Sequence, residues 1–310
     1  MASSKSKHQV LDHSITRDLD MPRALSCMEG WLADLRIRNC SPLTLARHEQ
    51  VIKRLISVIG DKKVHKIKPD DIRLYLASRI EKVAPSTADM ERRTIHAFLN
   101  FCLEEGFIDS NPVSKMKPTH LPKKVIPLLS QDVIAKLLAA CNDKTFLGAR
   151  NKAIILTLLD TGVRRAELVS MTRRDLYKEA ITIHGKGAKE RFIKISPRTQ
   201  KAIWRYMLFR RDNLDALWLT EERRPLRVQG LRMMIRRLAN RAGLDGERIS
   251  AHIFRHTFAT QMLRLGVDER SVQILLGHSS SAMTKRYTEQ FNSEDVLRLN
   301  QVSPVDAMGL

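Results

Sequence analysis

Apolar side chains recur every three to four positions through most of the chain and alternate with polar ones in one short stretch. After a polar leader, a first helical pattern runs near Arg23 to Ile37. A second opens at SPLTLARHEQVIKRLISVIG, where Ser41 is placed to cap, Pro42 to fill the first turn and Gly60 to end the helix. Within it Leu45, Ile52, Leu55, Ile56 and Ile59 share one face. A third pattern, KPDDIRLYLASRI, offers Asp70 as its capping residue. In the fourth, STADMERRTIHAFLNFCLEEG, Ile95, Phe98, Leu99 and Cys102 face inward with Arg92, Arg93 and His96 alongside. No set of reactive side chains gathers in these four, which read as a small all-helical module with basic faces.

Residues 111 to 127, NPVSKMKPTHLPKKVIP, contain four prolines, four lysines and no acidic residue, the composition of an extended cationic linker. Such a segment lies along a phosphate backbone or serves as a plain solvated tether, and composition does not choose between the two. Beyond it, LSQDVIAKLLAAC and ARNKAIILTLLDTGVRRAELVSM are helical in period. AITIHGKGAKERFIKIS breaks the pattern with β-branched alternation on both sides of a Gly-Lys-Gly turn, which predicts a hairpin. Helical periodicity resumes at Pro197 and continues to the end. The fold expected is mainly α, an all-helical front domain over 22–112, a linker over 113–126, and an α-rich second domain over 127–295 with one small antiparallel sheet. A tail over 296–310 follows. No internal repeat is visible.

At 310 residues, two domains are the natural expectation. The formal net charge of +20 is spread along the chain: up to residue 125 there are 22 basic and 15 acidic residues (+7), and beyond it 32 and 19 (+13). Two basic domains point to contact with a long polyanion, a nucleic acid above all, along the whole molecule rather than through one tail. Cys27, Cys40, Cys102 and Cys141 show no CxxC or metal-like spacing and read as free thiols of a cytosolic protein. No apolar run approaches the ~20 residues of a membrane helix, and MASSKSKHQV lacks the apolar core of a signal peptide.

Four clusters in the second domain carry residues suited to phosphate chemistry. TGVRRAEL places Arg164 and Arg165 at the end of an apolar helix with Glu167 close by; HGKGAKER puts Lys186 on the hairpin tip. SAHIFRHTFATQML sets His252 and Arg255 on one helix face, and LLGHSSSAMTKRY holds His278 and, nine residues on, Tyr287. Singly each has a bland reading, as a surface arginine, an exposed turn lysine, a satisfied histidine or a structural tyrosine. Two decoys fall away. His252 and His256 have HxxxH spacing, but Ile253 stands where a zinc protease needs glutamate, and GKGAK does not match GxxxxGK[ST], so neither a metal nor a nucleotide cofactor is expected.

Taken in order and spacing, these boxes resemble the tyrosine recombinases, the phage integrase family in its simple Xer-type form. The resemblance spans about residues 22 to 295 and includes the front module, which then corresponds to a core-binding (SAM-like) domain. It implies a catalytic set of Arg164, Lys186, His252, Arg255 and His278, with Tyr287 as nucleophile and Glu167 supporting an arginine. It also implies site-specific strand breakage and rejoining through a 3′-phosphotyrosine, without ATP, on double-stranded DNA with an inverted-repeat core site. A tetramer on DNA follows, with a tail that docks into a neighbouring protomer through Val296, Leu297 and Leu299 and with accessory DNA-bending proteins as possible partners. The two basic domains would clamp the duplex, with Arg47, Lys53, Arg92 and Arg93 as candidate DNA contacts. Arg165 departs from the small or aliphatic residue common at its position. The competing readings are a type IB topoisomerase, which shares the nucleophile but works alone, and a DNA-binding regulator with a vestigial site.

Overall fold

The computed structural model of the chain describes residues 21–117, 127–176, 180–184 and 190–277. The chain divides into two compact units, residues 1–123 and 124–310, and the described part of each has its own apolar core. No described helix is long and apolar enough to cross a membrane.

The front unit consists of α1 (Ala24–Ile37), α2 (Pro42–Ile59), α3 (Pro69–Ile80) and α4 (Pro85–Glu104). Ser41 Oγ accepts the Thr44 N–H at 3.2 Å, and Gly60 leaves α2 with φ +79°, so both ends of that helix lie where the residue types place them. Ile52, Leu55 and Ile59 are buried in the core, joined by Val51, with Leu45 and Ile56 packed at its edge. The start of α3 differs from expectation. Pro69 takes the first helical position, so it is Asp71, not Asp70, that reaches back to accept the Lys68 N–H at 2.9 Å. Asp70 faces solvent and pairs with Arg73.

The front core also runs further than its composition suggests. Asn111 donates to the His96 carbonyl and Asn100 Oδ1 and accepts from the Val113 N–H. Those bonds satisfy a buried amide and carry Val113 into the core beside Met116. The basic stretch thus begins as part of the module, and residues 118–126 lie outside those described.

Between α3 and α4 sits a buried carboxylate that periodicity does not reveal. Glu91 accepts from Tyr75 Oη at 2.8 Å and from Arg79 Nε and Nη2 at 2.8 and 3.0 Å, with Arg54 Nη2 at 3.3 Å. Burial alone would raise its pKa; the Arg79 and Tyr75 hydrogen bonds and the Arg54 charge outweigh burial and hold the carboxyl below its ordinary range. Because the folded pKa is depressed, this contribution is present at neutral pH and lost only as pH falls through that lowered value. Glu91→Ala strands Arg79 and the Tyr75 hydroxyl and should cost about 3 kcal/mol. Amide exchange in α3 and α4 of the full chain reads the loss; unchanged protection there would show that the cluster contributes nothing.

The second unit begins with α5 (Gln131–Ala139) and α6 (Phe146–Thr161), capped by Ser130 and Thr145. There follow α7 (Arg165–Ser170), β1 (Ala180–His184), β2 (Glu190–Lys194), α8 (Pro197–Met207), α9 (Val228–Arg241), α10 (Ala251–Arg264) and α11 (Glu269–Leu276). The two strands pair antiparallel with Ile181 opposite Ile193 and Ile183 opposite Arg191, and the three isoleucines are buried. Helix α6 is buried along most of its length and packs on α8 and α10. Helical structure does not run unbroken from Pro197: residues 208–227 fold irregularly around the buried Trp218. Arg210 makes this possible by donating to the carbonyls of Leu214, Ala216 and Leu217, partners that a buried loop backbone otherwise lacks.

Candidate active site

TGVRRAEL is two helices rather than one. Gly162 ends α6 in the left-handed region (φ +56°), and a Cβ there would run into the Phe258 ring. Arg164 consequently precedes a new helix, α7, instead of closing the old one. Glu167 sits in the first turn of α7, its Oε2 accepting the Arg164 N–H at 2.8 Å and its Oε1 accepting Arg164 Nη1 at 2.9 Å.

The guanidinium of Arg164 continues to the end of α11, donating to the carbonyls of Leu276 (3.3 Å) and Gly277 (2.8 Å). Arg255 reaches the same place from α10. It is 4% exposed and donates to Gly162 O at 2.8 Å and Leu276 O at 2.7 Å. A third arginine, Arg191 of β2, donates to Leu275 O at 2.7 Å and to both oxygens of Glu167 at 3.2 and 2.8 Å. The last carbonyls of a helix lack intrahelical partners and carry its negative dipole end, so guanidiniums are their natural complement. Each terminal nitrogen bears two hydrogens; in Arg164, Nη1 gives both, to Glu167 Oε1 and Leu276 O, and Nη2 gives one, to Gly277 O. Arg164, whose side chain is 40% exposed, keeps donors toward solvent. Burial pushes the Glu167 carboxyl up, and the Arg191 and Arg164 hydrogen bonds overcome this to hold it ionised below its usual range.

His252 lies at the exposed start of α10, three residues before Arg255. Desolvation beneath its ring, and then the charges of Arg255 and Arg165, push its pKa below the ordinary imidazole value, so the ring is neutral at pH 7. His256, one turn on, is fully buried, with its ring parallel to that of His252 at 6.5 Å. Burial and His252 lower its pKa to about 4. Among the described residues no group of three His, Cys, Asp or Glu side chains is placed to hold a cation.

The structure therefore joins Arg164, Glu167 and Arg255 at the end of α11, sets His252 one turn before Arg255 and within reach of its charge, and adds Arg191, a residue of the GKGAKER box that the sequence alone does not single out. Lys186, His278 and Tyr287 lie outside the described residues, as does the tail with Val296, Leu297 and Leu299. The described chain ends one residue before His278, at the carbonyls the three arginines hold.

His184 ends β1, opposite Glu190 in the last pair of the ladder, and is held there between two carboxylates. Its Nε2 lies 2.9 Å from Asp175 Oδ1 and its Nδ1 3.0 Å from Glu190 Oε1, and Asp175 Oδ2 is anchored on the Thr172 N–H and hydroxyl. Only the protonated ring donates to both carboxylates. The Asp175 hydrogen bond first, and Glu190 with it, raises the pKa of His184 against the opposing effect of desolvation. Raised above its unfolded value of about 6.5, this clasp contributes fully below that pH and is lost as pH rises through the folded pKa. An NMR titration of His184 should have its midpoint above 6.5 and move down in Asp175→Asn; a midpoint at or below the free value contradicts the clasp.

In the front unit, Arg47 and Lys53 border a shallow groove of about 760 Å³ along α2, with Lys53 bonded to Glu49 at 2.6 Å. Arg93 is exposed beside Asp89, whereas Arg92 is turned onto Asp89 at 3.0 Å and only 12% exposed. As it stands, Arg92 faces a carboxylate rather than solvent.

Comparison with known proteins places these features. Residues 127–294 match the model of the phage integrase family, and residues 27–109 match the phage integrase N-terminal SAM-like domain. The chain is 31% identical over 281 residues to tyrosine recombinase XerC of Bacillus pumilus, covering 86% of this chain and 91% of that protein. To tyrosine recombinase XerD of Xanthomonas campestris pv. campestris it is 33% identical over 229 residues, covering 69% and 71%. Among solved structures, a lambda integrase dimer bound to a COC′ core site superposes with a TM-score of 0.71 at 20% identity, over 89% of this chain and 80% of that one. The XerH site-specific recombinase bound to palindromic difH substrate, a post-cleavage complex, gives 0.70 at 21% identity, over 88% and 81%. These two share the fold.

Proposed function

This chain belongs to the phage integrase family and is a site-specific tyrosine recombinase, and we propose that Tyr287 is its nucleophile and Arg164, Lys186, His252, Arg255 and His278 its remaining catalytic residues. The observation that carries the assignment is the convergence of Arg164 and Arg255, from segments 91 positions apart (255 − 164), on the carbonyls that immediately precede His278.

The Tyr287 hydroxyl attacks the scissile phosphorus of double-stranded DNA. A Tyr Oη–P bond forms and the P–O5′ bond breaks, leaving a 3′-phosphotyrosine and a free 5′-hydroxyl. One phosphoester replaces another, so no ATP is consumed. A phenol of pKa about 10 is ionised to only about one part in a thousand at pH 7. Neutral His252 has a free lone pair to take the proton. Negative charge on the non-bridging oxygens is met by the forks of Arg164 and Arg255 and by His278. The departing O5′ takes its proton from Lys186, and attack by a 5′-hydroxyl of the partner strand reverses the step. Glu167 fixes the direction in which Arg164 points.

Exchange between two duplexes takes four active sites, hence a homotetramer on an inverted-repeat core site, acting in the cytoplasm. Arg47, Lys53 and Arg93 supply backbone contacts from the front unit. Contacts of this kind make affinity fall steeply with salt.

Incubation with a pool of nicked, partly randomised duplexes tests the proposal. Cleavage near the nick releases a short fragment and cannot reverse, so a covalent adduct accumulates on a denaturing gel. Mass mapping should place the DNA on the peptide containing Tyr287, and sequencing the attached strand gives the core site. Binding to such a pool without any adduct would leave a DNA-binding regulator instead.

A further inference from the structure

We propose that Arg191 is a positioning residue for strand cleavage, holding Arg164 and the segment entering His278 in register from strand β2 without touching DNA. This role presupposes the recombinase chemistry proposed above. Arg191 projects from the strand position opposite Ile183 and its side chain is only 11% exposed, so it faces the protein and not a groove that a duplex could enter. Its guanidinium meets the Glu167 carboxylate with two nitrogens, while Nε is committed to Leu275 O. Each Glu167 oxygen thereby holds one donor from Arg191 and one from Arg164. Four donors fill the acceptor sites of the carboxylate, so Arg191 fixes the Glu167 oxygens on which Arg164 is aligned.

Gly277 reports how closely the pieces fit. The chain passes there with φ +61°, and a Cβ would lie 3.0 Å from Arg191 Nη1 and 3.6 Å from Arg164 Nη1. The Arg191 guanidinium is thus a wall against which the residue before His278 rests. A lysine would keep the charge near Glu167 but could not span the carboxylate and Leu275 O together. If neutralising a buried carboxylate were the whole role, lysine would suffice.

The experiment uses the full chain, Arg191→Lys and Arg191→Gln, and the nicked duplex recovered by trapping with the wild-type protein. Absence of a wild-type adduct would sink the recombinase reading itself, before any variant is compared. With that adduct in hand, both variants should bind the duplex as wild type does and form adduct about 10- to 100-fold more slowly in single turnover, at full final yield. A merely structural defect would instead lower the yield and leave the rate of the competent fraction unchanged. The deficit should persist on a duplex whose bridging O5′ is replaced by sulfur, a leaving group that needs no proton, whereas Lys186→Ala should be restored by it. Wild-type rate in Arg191→Lys would reduce the role to charge and overturn the proposal. So would restoration of either variant by sulfur, which would place the action of Arg191 on the hairpin tip. Failure of both variants to fold at the assay temperature would make it a stability residue only.

Discussion

Replacing Tyr287 with phenylalanine is expected to reduce covalent adduct to nothing detectable while leaving DNA affinity within about twofold, because the change removes no charge and the proposed DNA contacts are basic residues elsewhere. The change deletes one oxygen, the atom that bonds to phosphorus. The basic groove on α2, the guanidiniums of Arg164 and Arg255 and the imidazole of His252 are untouched by it. The structure also disposes of two rival nucleophiles. Tyr75 is buried and donates its hydroxyl to Glu91, and burial together with that carboxylate pushes its pKa up. Tyr206 is buried beneath Trp218, with its oxygen accepting the Leu219 N–H. An adduct that survived in Tyr287→Phe would put the nucleophile outside both and overturn the proposed chemistry.

Arg255→Ala should slow cleavage by about 10²–10³-fold, the usual cost of losing a preorganised donor to a charged transition state. It should also lower the melting temperature. Arg255 is buried, and its removal takes the donor from Gly162 O, at about 1–3 kcal/mol for a carbonyl left buried without a partner, and leaves Leu276 O with only the longer bond from Arg164. Arg255→Lys separates the two effects. It retains the charge and part of the packing but loses the planar fork, so most of the stability should return while cleavage remains impaired. Melting curves beside single-turnover adduct formation make the comparison; full activity in the lysine variant would show that charge alone, not paired N–H donors, serves the phosphate.

Local chemistry made much of this fold legible. Ser41, Pro42 and Gly60 bracket α2 because caps and breakers act on their neighbours, and Ile181, Ile183 and Ile193 mark the hairpin because strands alternate. What stayed hidden depends on distance along the chain. Glu91 looks like one more charge on a polar helix until α3 brings Tyr75 and Arg79 against it. Arg191 lies in a segment whose period speaks only of a strand, and nothing nearby says that its partners are Glu167 and Leu275, 24 and 84 positions away. The break at Gly162 was missed for a related reason: the ring that forbids a side chain there belongs to Phe258. Asn111 misled in the other direction, since a prolyl, lysyl stretch gives no hint that its first amide is sealed by His96 and Asn100.

The grip of Arg164, Arg191 and Arg255 on the carbonyls of residues 275–277 also orders events during synthesis. The front unit is complete once α4 and the Asn111 turn have been made, and domains fold as units from the N-terminus during translation. The basic groove on α2 is then in place. All three arginines emerge later, and the carbonyls that set their directions come last of all. At 5–20 residues per second the interval between the two is roughly ten to thirty seconds. A chain truncated ahead of residue 275 would keep the whole front unit and lack the α11 carbonyls on which the three arginines converge.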